Sequence, residues 1–125
     1  MKTILDDIYE ISLEKLVDED VFLNCHVLPM RVDKHNKIVS DATRNSIKIV
    51  FNSVVGYVLL PEVVQIGMNF KYKDDFVLSQ VVDSKAISFF GFDKYFPNDE
   101  IRHITIRTSH CFLNVFVDNF PEILE

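Results

Sequence analysis

Ile4-Leu5-Asp6-Asp7-Ile8-Tyr9-Glu10-Ile11-Ser12-Leu13-Glu14-Lys15-Leu16-Val17 decides the fold class, because the rest of the chain has a different period. Ile4, Leu5, Ile8 and Ile11 recur at i, i+1, i+4 and i+7, one apolar stripe of an amphipathic helix. Thr3 is a candidate cap, with Asp6 three residues on as an imperfect capping box. Asp6, Asp7 and Glu10 would then face water near the positive end of the helix dipole. A second short helical turn is expected through Leu13, Leu16 and Val17, capped by Ser12.

From residue 21 the period changes to two. Val21, Leu23, Cys25 and Val27 alternate with Phe22, Asn24, His26 and Leu28, a strand that ends near Pro29 or Val32. Ile47, Ile49 and Phe51 alternate with Ser46, Lys48 and Val50, and Asn52-Ser53 is a tight turn. Val54 to Leu60 is apolar on both faces, which predicts a central strand ended by Pro61. Val64, Ile66, Met68, Phe70 and Tyr72 alternate with Gln65, Gly67, Asn69, Lys71 and Lys73, the pattern of a strand with one dry and one wet face. Phe76 to Val82 and Ala86 to Phe92 read as two more strands, followed by a polar loop over 93–100. Arg102–Thr108 and Cys111–Asp118 form a hairpin turning at Ser109-His110, and Pro121–Glu125 is a loose tail or short cap. Helices first and strands after predict an α+β domain: an N-terminal helix or helices, then a mainly antiparallel sheet of about seven strands. No linker or repeat interrupts the pattern, so residues 1–125 are expected to form a single globular domain.

Composition narrows the function classes. Eleven Phe and four Tyr supply bulky core material, and only three Gly are present, which excludes glycine-rich phosphate loops. Cys25 and Cys111 both lie in apolar runs, as buried free thiols of a reducing compartment do. Asp6, Asp7 and Glu10 interrupt any signal-peptide apolar region, and no run approaches the ~18 residues of a membrane span. A cytoplasmic protein with no membrane partner is expected.

The candidate chemistries fail on spacing. Cys25-His26 and His110-Cys111 invite a zinc site, but neighbours on a strand point to opposite faces and the two-to-four-residue ligand spacing is missing. A Cys–His nucleophile needs an exposed thiol, and both cysteines share the face of core residues Val27 and Leu113. The carboxylate pairs Asp74-Asp75 and Asp99-Glu100 stand at turns, where acids are ordinarily solvated. No calcium loop is present, and no Ser stands in a Gly-x-Ser-x-Gly elbow. Lys71-Tyr72-Lys73, with Lys48 and Arg44, could stack single-stranded nucleic acid, but a net charge of −6 opposes it. Neither a catalytic residue, a metal, a cofactor nor a nucleic-acid partner is expected, and the chain does not read as an enzyme.

Charge is the remaining signal. Residues 1–20 carry seven acids against Lys2 and Lys15, a net of −5. Residues 21–92 come to +2 and residues 93–125 to −3. If both acidic ends meet in the fold, Asp6, Asp7, Glu10, Asp18, Glu19, Asp20, Asp99 and Glu100 form one field that steers a basic protein partner. Acids that merely keep a surface soluble are the ordinary alternative.

Val81-Val82-Asp83-Ser84, His103-Ile104-Thr105-Ile106 and Phe112-Leu113-Asn114-Val115-Phe116-Val117, within residues 81–122, resemble small bacterial domains of the immunity-protein type. The resemblance implies a compact, non-enzymatic cytoplasmic inhibitor, acidic because many of the toxins it meets are basic nucleases. Two other readings compete. A small enzyme or ligand-binding domain would have its pocket near His26, His103, His110 and Arg107. An oligomeric scaffold, as simple as a homodimer, would use a second copy to cover one of the two apolar faces of the strand over 112–118.

Overall fold

The structure, a computed structural model, describes residues 4–8 and 10–125. The stretch expected to be helical is a strand. Glu10–Glu19 forms β1, antiparallel to β2 (Phe22–Val32). The register passes from Leu13↔Val27 to Lys15↔His26, so Glu14 is an extra residue in a bulge. Ile11 and Leu13 reach the core before the bulge and Leu16 after it. One inserted residue thus changes a spacing of two into a spacing of three, and with Ile8 the row imitates a helical stripe. What remains of the predicted helix is a single 3-10 turn at Ile4–Asp7, and Thr3, its expected cap, lies outside the described residues.

The α+β expectation is therefore corrected: among the described residues the chain is mostly β, in two five-stranded antiparallel sheets. The first runs β1-β2-β4-β10, with β3 (Ile38–Ser40) also on β2; β4 is Ile47–Phe51 and β10 is Glu122–Leu124. The second runs β5-β9-β8-β7-β6: Val54–Pro61, Cys111–Val117, Arg102–Arg107, Leu78–Val82 and Lys71–Tyr72. The tail is β10, paired to β4 through Ile123↔Ile49, where a loose end was expected. β5 is an edge strand and leaves Tyr57 and Leu59 exposed, although its two apolar faces predicted a central one.

The sheets face each other across an aliphatic core. Leu23, Cys25, Val27, Ile49 and Phe51 of the first meet Ile104, Ile106, Leu113, Val115 and Val117 of the second, all fully buried. The outer side of the first sheet carries half-buried Asn24, His26 and Lys48. The outer side of the second sheet carries a thin helical layer: α1 (Glu62–Gly67), α2 (Lys85–Phe89) and α3 (Phe92–Tyr95).

Those helices replace two expected strands. Pro61, at φ −57°, leads into α1, and acidic Glu62 sits in its first turn. The alternation over 64–73 is broken because α1 turns Gln65 inward and leaves Val63, Val64 and Ile66 exposed. Ala86–Phe92 folds as α2 and the start of α3, joined by Gly91 at φ 78°, a left-handed conformation that glycine adopts without strain. The Phe92 ring in turn lies against Gly56 of β5: a Cβ there would come within 2.6 Å of it.

Candidate functional site

Alternation along β8 and β9 sends Ile104, Ile106, Leu113 and Val115 into the core. The same rule sends His103, Asn114 and Phe116 to the outer side, under the helices. There they build a chain of polar contacts inside an apolar shell. Ser84 Oγ lies 2.6 Å from His103 Nδ1, and His103 Nε2 lies 2.7 Å from Asn114 Oδ1. Asn114 Nδ2 donates to Gln65 Oε1 at 2.8 Å, and Gln65 Nε2 donates to Asn114 Oδ1 at 3.1 Å and to Tyr72 OH at 2.9 Å. An amide oxygen only accepts, so in this arrangement Nε2 carries the imidazole proton and Nδ1 accepts from the Ser84 hydroxyl.

His103 is 1% exposed. The Phe70 ring meets it edge-on at 4.9 Å, and the Phe116 ring covers it at 4.6 Å. Burial pushes its pKa down to about 4 against the opposing pull of the Asn114 hydrogen bond, so the ring is neutral at pH 7. Ser84 occupies the N-cap position of α2 but makes no capping bond; its hydroxyl goes to His103 instead. A groove of about 640 Å³ opens beside it, walled by Met68, Phe70, Val81, Ala86 and Phe89, with Ser84 in its lining.

The histidines expected around one pocket are separated. His103 lies behind the groove wall, in contact with Ser84 and Phe70 of its lining. His26 is on the outer side of the first sheet, across from Lys15 and Lys48. His110 is in the exposed β8–β9 turn, and Arg107 lines a different, smaller cavity of about 130 Å³. Cys25 and His26 point to opposite faces of β2, and no group of three or more metal-binding side chains gathers among the described residues. Both cysteines are free, in different sheets, and burial pushes the Cys25 thiol up to about 12. The outer face of β9 is covered by the chain's own helices, with Phe116 between His103, Phe90 and Phe92.

The acidic residues divide between the two ends of the sandwich. Asp18, Glu19 and Asp20 form the tip of the β1–β2 hairpin. Val54 donates its N–H to the Val21 carbonyl at 3.0 Å, Val54 pairs with Val117, and Val117 pairs with Arg102. That ladder brings the hairpin tip to the same end as Asp99 and Glu100, which precede β8. Glu10 pairs with Met30 at the other end of β1, and Asp6 lies in the 3-10 turn before it. The Asp7 side chain lies outside the described residues.

At the shared end the acids are lightly engaged. Arg102 lies 3.7 Å from Glu100, stacks on Phe120 at 5.0 Å and donates to the Asp118 carbonyl. Tyr57 OH donates to Asp18 Oδ2 at 3.2 Å, linking the two sheets. Partial burial first, and then the Asp18 contact, raise the Tyr57 phenol pKa. Among the described residues, no ion pair ties up Asp18, Glu19, Asp20 or Asp99. Val21, Phe22, Phe96 and Phe120 are exposed at the same end.

Family models, curated proteins and solved structures give no match to this chain. Sequence reasoning missed the Ser84–His103–Asn114–Gln65 chain because it placed Gln65 on a wet strand face. One signal was available: Asn114 is the single polar residue in the run Phe112–Val117, where an unpaired amide would be costly. No helix among the described residues is long and apolar enough to cross a membrane.

Proposed function

We propose that this protein is a binding module that occludes a basic protein partner, an immunity protein for a nuclease-like toxin. The observation that carries the reading is the end of the sandwich that Asp18, Glu19, Asp20, Asp99 and Glu100 share with exposed Val21, Phe22, Phe96 and Phe120. Exposed aromatics beside charged groups suit a protein interface, and the acids outside ion pairs among the described residues, Asp18, Glu19, Asp20 and Asp99, give it long-range pull on a cationic surface. The helices α2 and α3, whose Phe92 packs on Gly56 and Phe116 near this end, extend the apolar contact area through exposed Phe89 and Tyr95. Asp6, Asp7 and Glu10 take no part in this reading beyond the overall negative field, because β1 carries them to the opposite end.

The test is the association rate with a basic, nuclease-like toxin domain. Steering of this kind raises association by about 10- to 1,000-fold, and salt removes it. Replacing Asp18, Glu19 and Asp20 together by Lys should slow association at least about tenfold at low salt and flatten the salt dependence. Binding that is absent, or indifferent both to salt and to this replacement, contradicts the reading.

A further inference from the structure

We propose that Ser84 and His103 form a nucleophilic serine site, positioned by Asn114, that takes the acyl group of an apolar carboxylic ester lying in the adjoining groove. The proposal is independent of the partner-binding reading and concerns the helical face.

Three observations support it. The first is the nucleophile–base–orienter geometry. Ser84 Oγ is 2.6 Å from a ring nitrogen whose partner nitrogen is held at 2.7 Å by an amide oxygen. Asn114 is fixed by two contacts to Gln65, and Gln65 by Tyr72, so the imidazole has one orientation. The second is the behaviour of Ser84 itself. A serine at this position ordinarily binds the helix backbone, whereas this one spends its hydroxyl on a buried neutral imidazole. The third is the groove. Ser84 lies in the lining of a space of about 640 Å³, and the Met68, Phe70, Val81, Ala86 and Phe89 walls suit an aliphatic or aromatic acyl chain.

In the step proposed, Ser84 Oγ bonds to the acyl carbon while its proton passes to His103 Nδ1. The ester C–O bond breaks, and the departing alcohol leaves with that proton. Water then cleaves the Ser84 ester, with His103 again accepting a proton, and releases the carboxylic acid. Asn114 touches neither reactant; it holds the ring so that Nδ1 keeps facing the hydroxyl.

An alkyl fluorophosphonate, which reacts with activated serines, tests this on the folded full chain. The expected result is one adduct per molecule, mapped by peptide mass to Ser84, absent in Ser84→Ala and absent from urea-unfolded chain. A p-nitrophenyl ester of a medium-chain acid should release a burst of nitrophenol that the adduct abolishes. Asn114→Leu should slow labelling at least about tenfold, and Asn114→Asp, which keeps an acceptor for Nε2–H, should restore it to within about threefold. If the Asn114 variants do not fold, the wild-type adduct alone decides. A chain whose Ser84 stays unmodified, or reacts as fast when unfolded, has only a structural hydrogen bond there, and the proposal falls.

Discussion

The gap between the two sheets and the layer outside the second sheet are built on opposite rules. In the gap, Leu23, Ile49, Phe51, Ile104, Leu113 and Val115 are fully buried. In the outer layer the polar Gln65, His103 and Asn114 are buried beside a smaller apolar set, Phe116, Val81 and Ala86, while Val63, Ile66, Phe89 and Tyr95 are 78, 63, 80 and 73% exposed. Aliphatic burial is non-directional and holds whole sheets together. The outer layer combines a smaller apolar cluster around Phe116 with a few directional contacts. Elements with little buried apolar area open at lower free energy, and binding surfaces are drawn from them. The contrast assigns stability to the gap, while both functional proposals rest on the outer layer and the acidic end.

Breaking the gap should have the largest effect. Leu113→Ala removes a fully buried side chain between the sheets and should cost about 3 kcal/mol in urea unfolding, within the range of such truncations. A loss below about 1 kcal/mol would mean that the gap is not the source of stability.

Acid should act next, on the outer layer. His103 is neutral when folded, with its pKa pushed down to about 4, whereas an unfolded histidine titrates near 6.5. The unfolded chain therefore binds the extra proton first. The contribution of this site is complete above pH 6.5 and is lost as pH falls from there to about 4, by about 3 kcal/mol in all. His103→Gln should remove that part of the acid slope. A slope unchanged by the substitution would place the acid-sensitive group elsewhere.

The smallest effect should come from the exposed apolar side chains. Val63→Ser with Ile66→Ser should change stability by no more than about 0.5 kcal/mol each, while reducing the binding of a hydrophobic dye. A loss of several kcal/mol would show that these residues pack against the fold after all.

The same contrast explains what was legible in the sequence. β2, β4, β7 and the β8–β9 hairpin follow strict alternation and were readable, because one of their faces meets the aliphatic gap. β1 was not, since the bulge at Glu14 shifts its alternation by one residue. α1 was not either: its apolar residues face water and its amide faces inward, so its pattern matched a strand better than a helix. β5 looked central because helical cover, such as Phe92 over Gly56, is indistinguishable from a sheet neighbour along one sequence. Of the site, His103 was noticed as a candidate. Its partners were not, since Ser84, Asn114 and Gln65 are 19, 11 and 38 residues away and only the fold makes them neighbours. Of the acids, the hairpin tip and the segment before β8 share one end of the sandwich, whereas Glu10 is carried away by the length of β1.

Native-state amide hydrogen exchange tests this division most directly. The account predicts that amides of β2, β8 and β9 exchange only through global unfolding, and that those of α1, α2 and α3 exchange at least about a hundredfold faster through opening of the outer layer alone. Equal protection of helices and sheets would make the molecule one cooperative unit and contradict it.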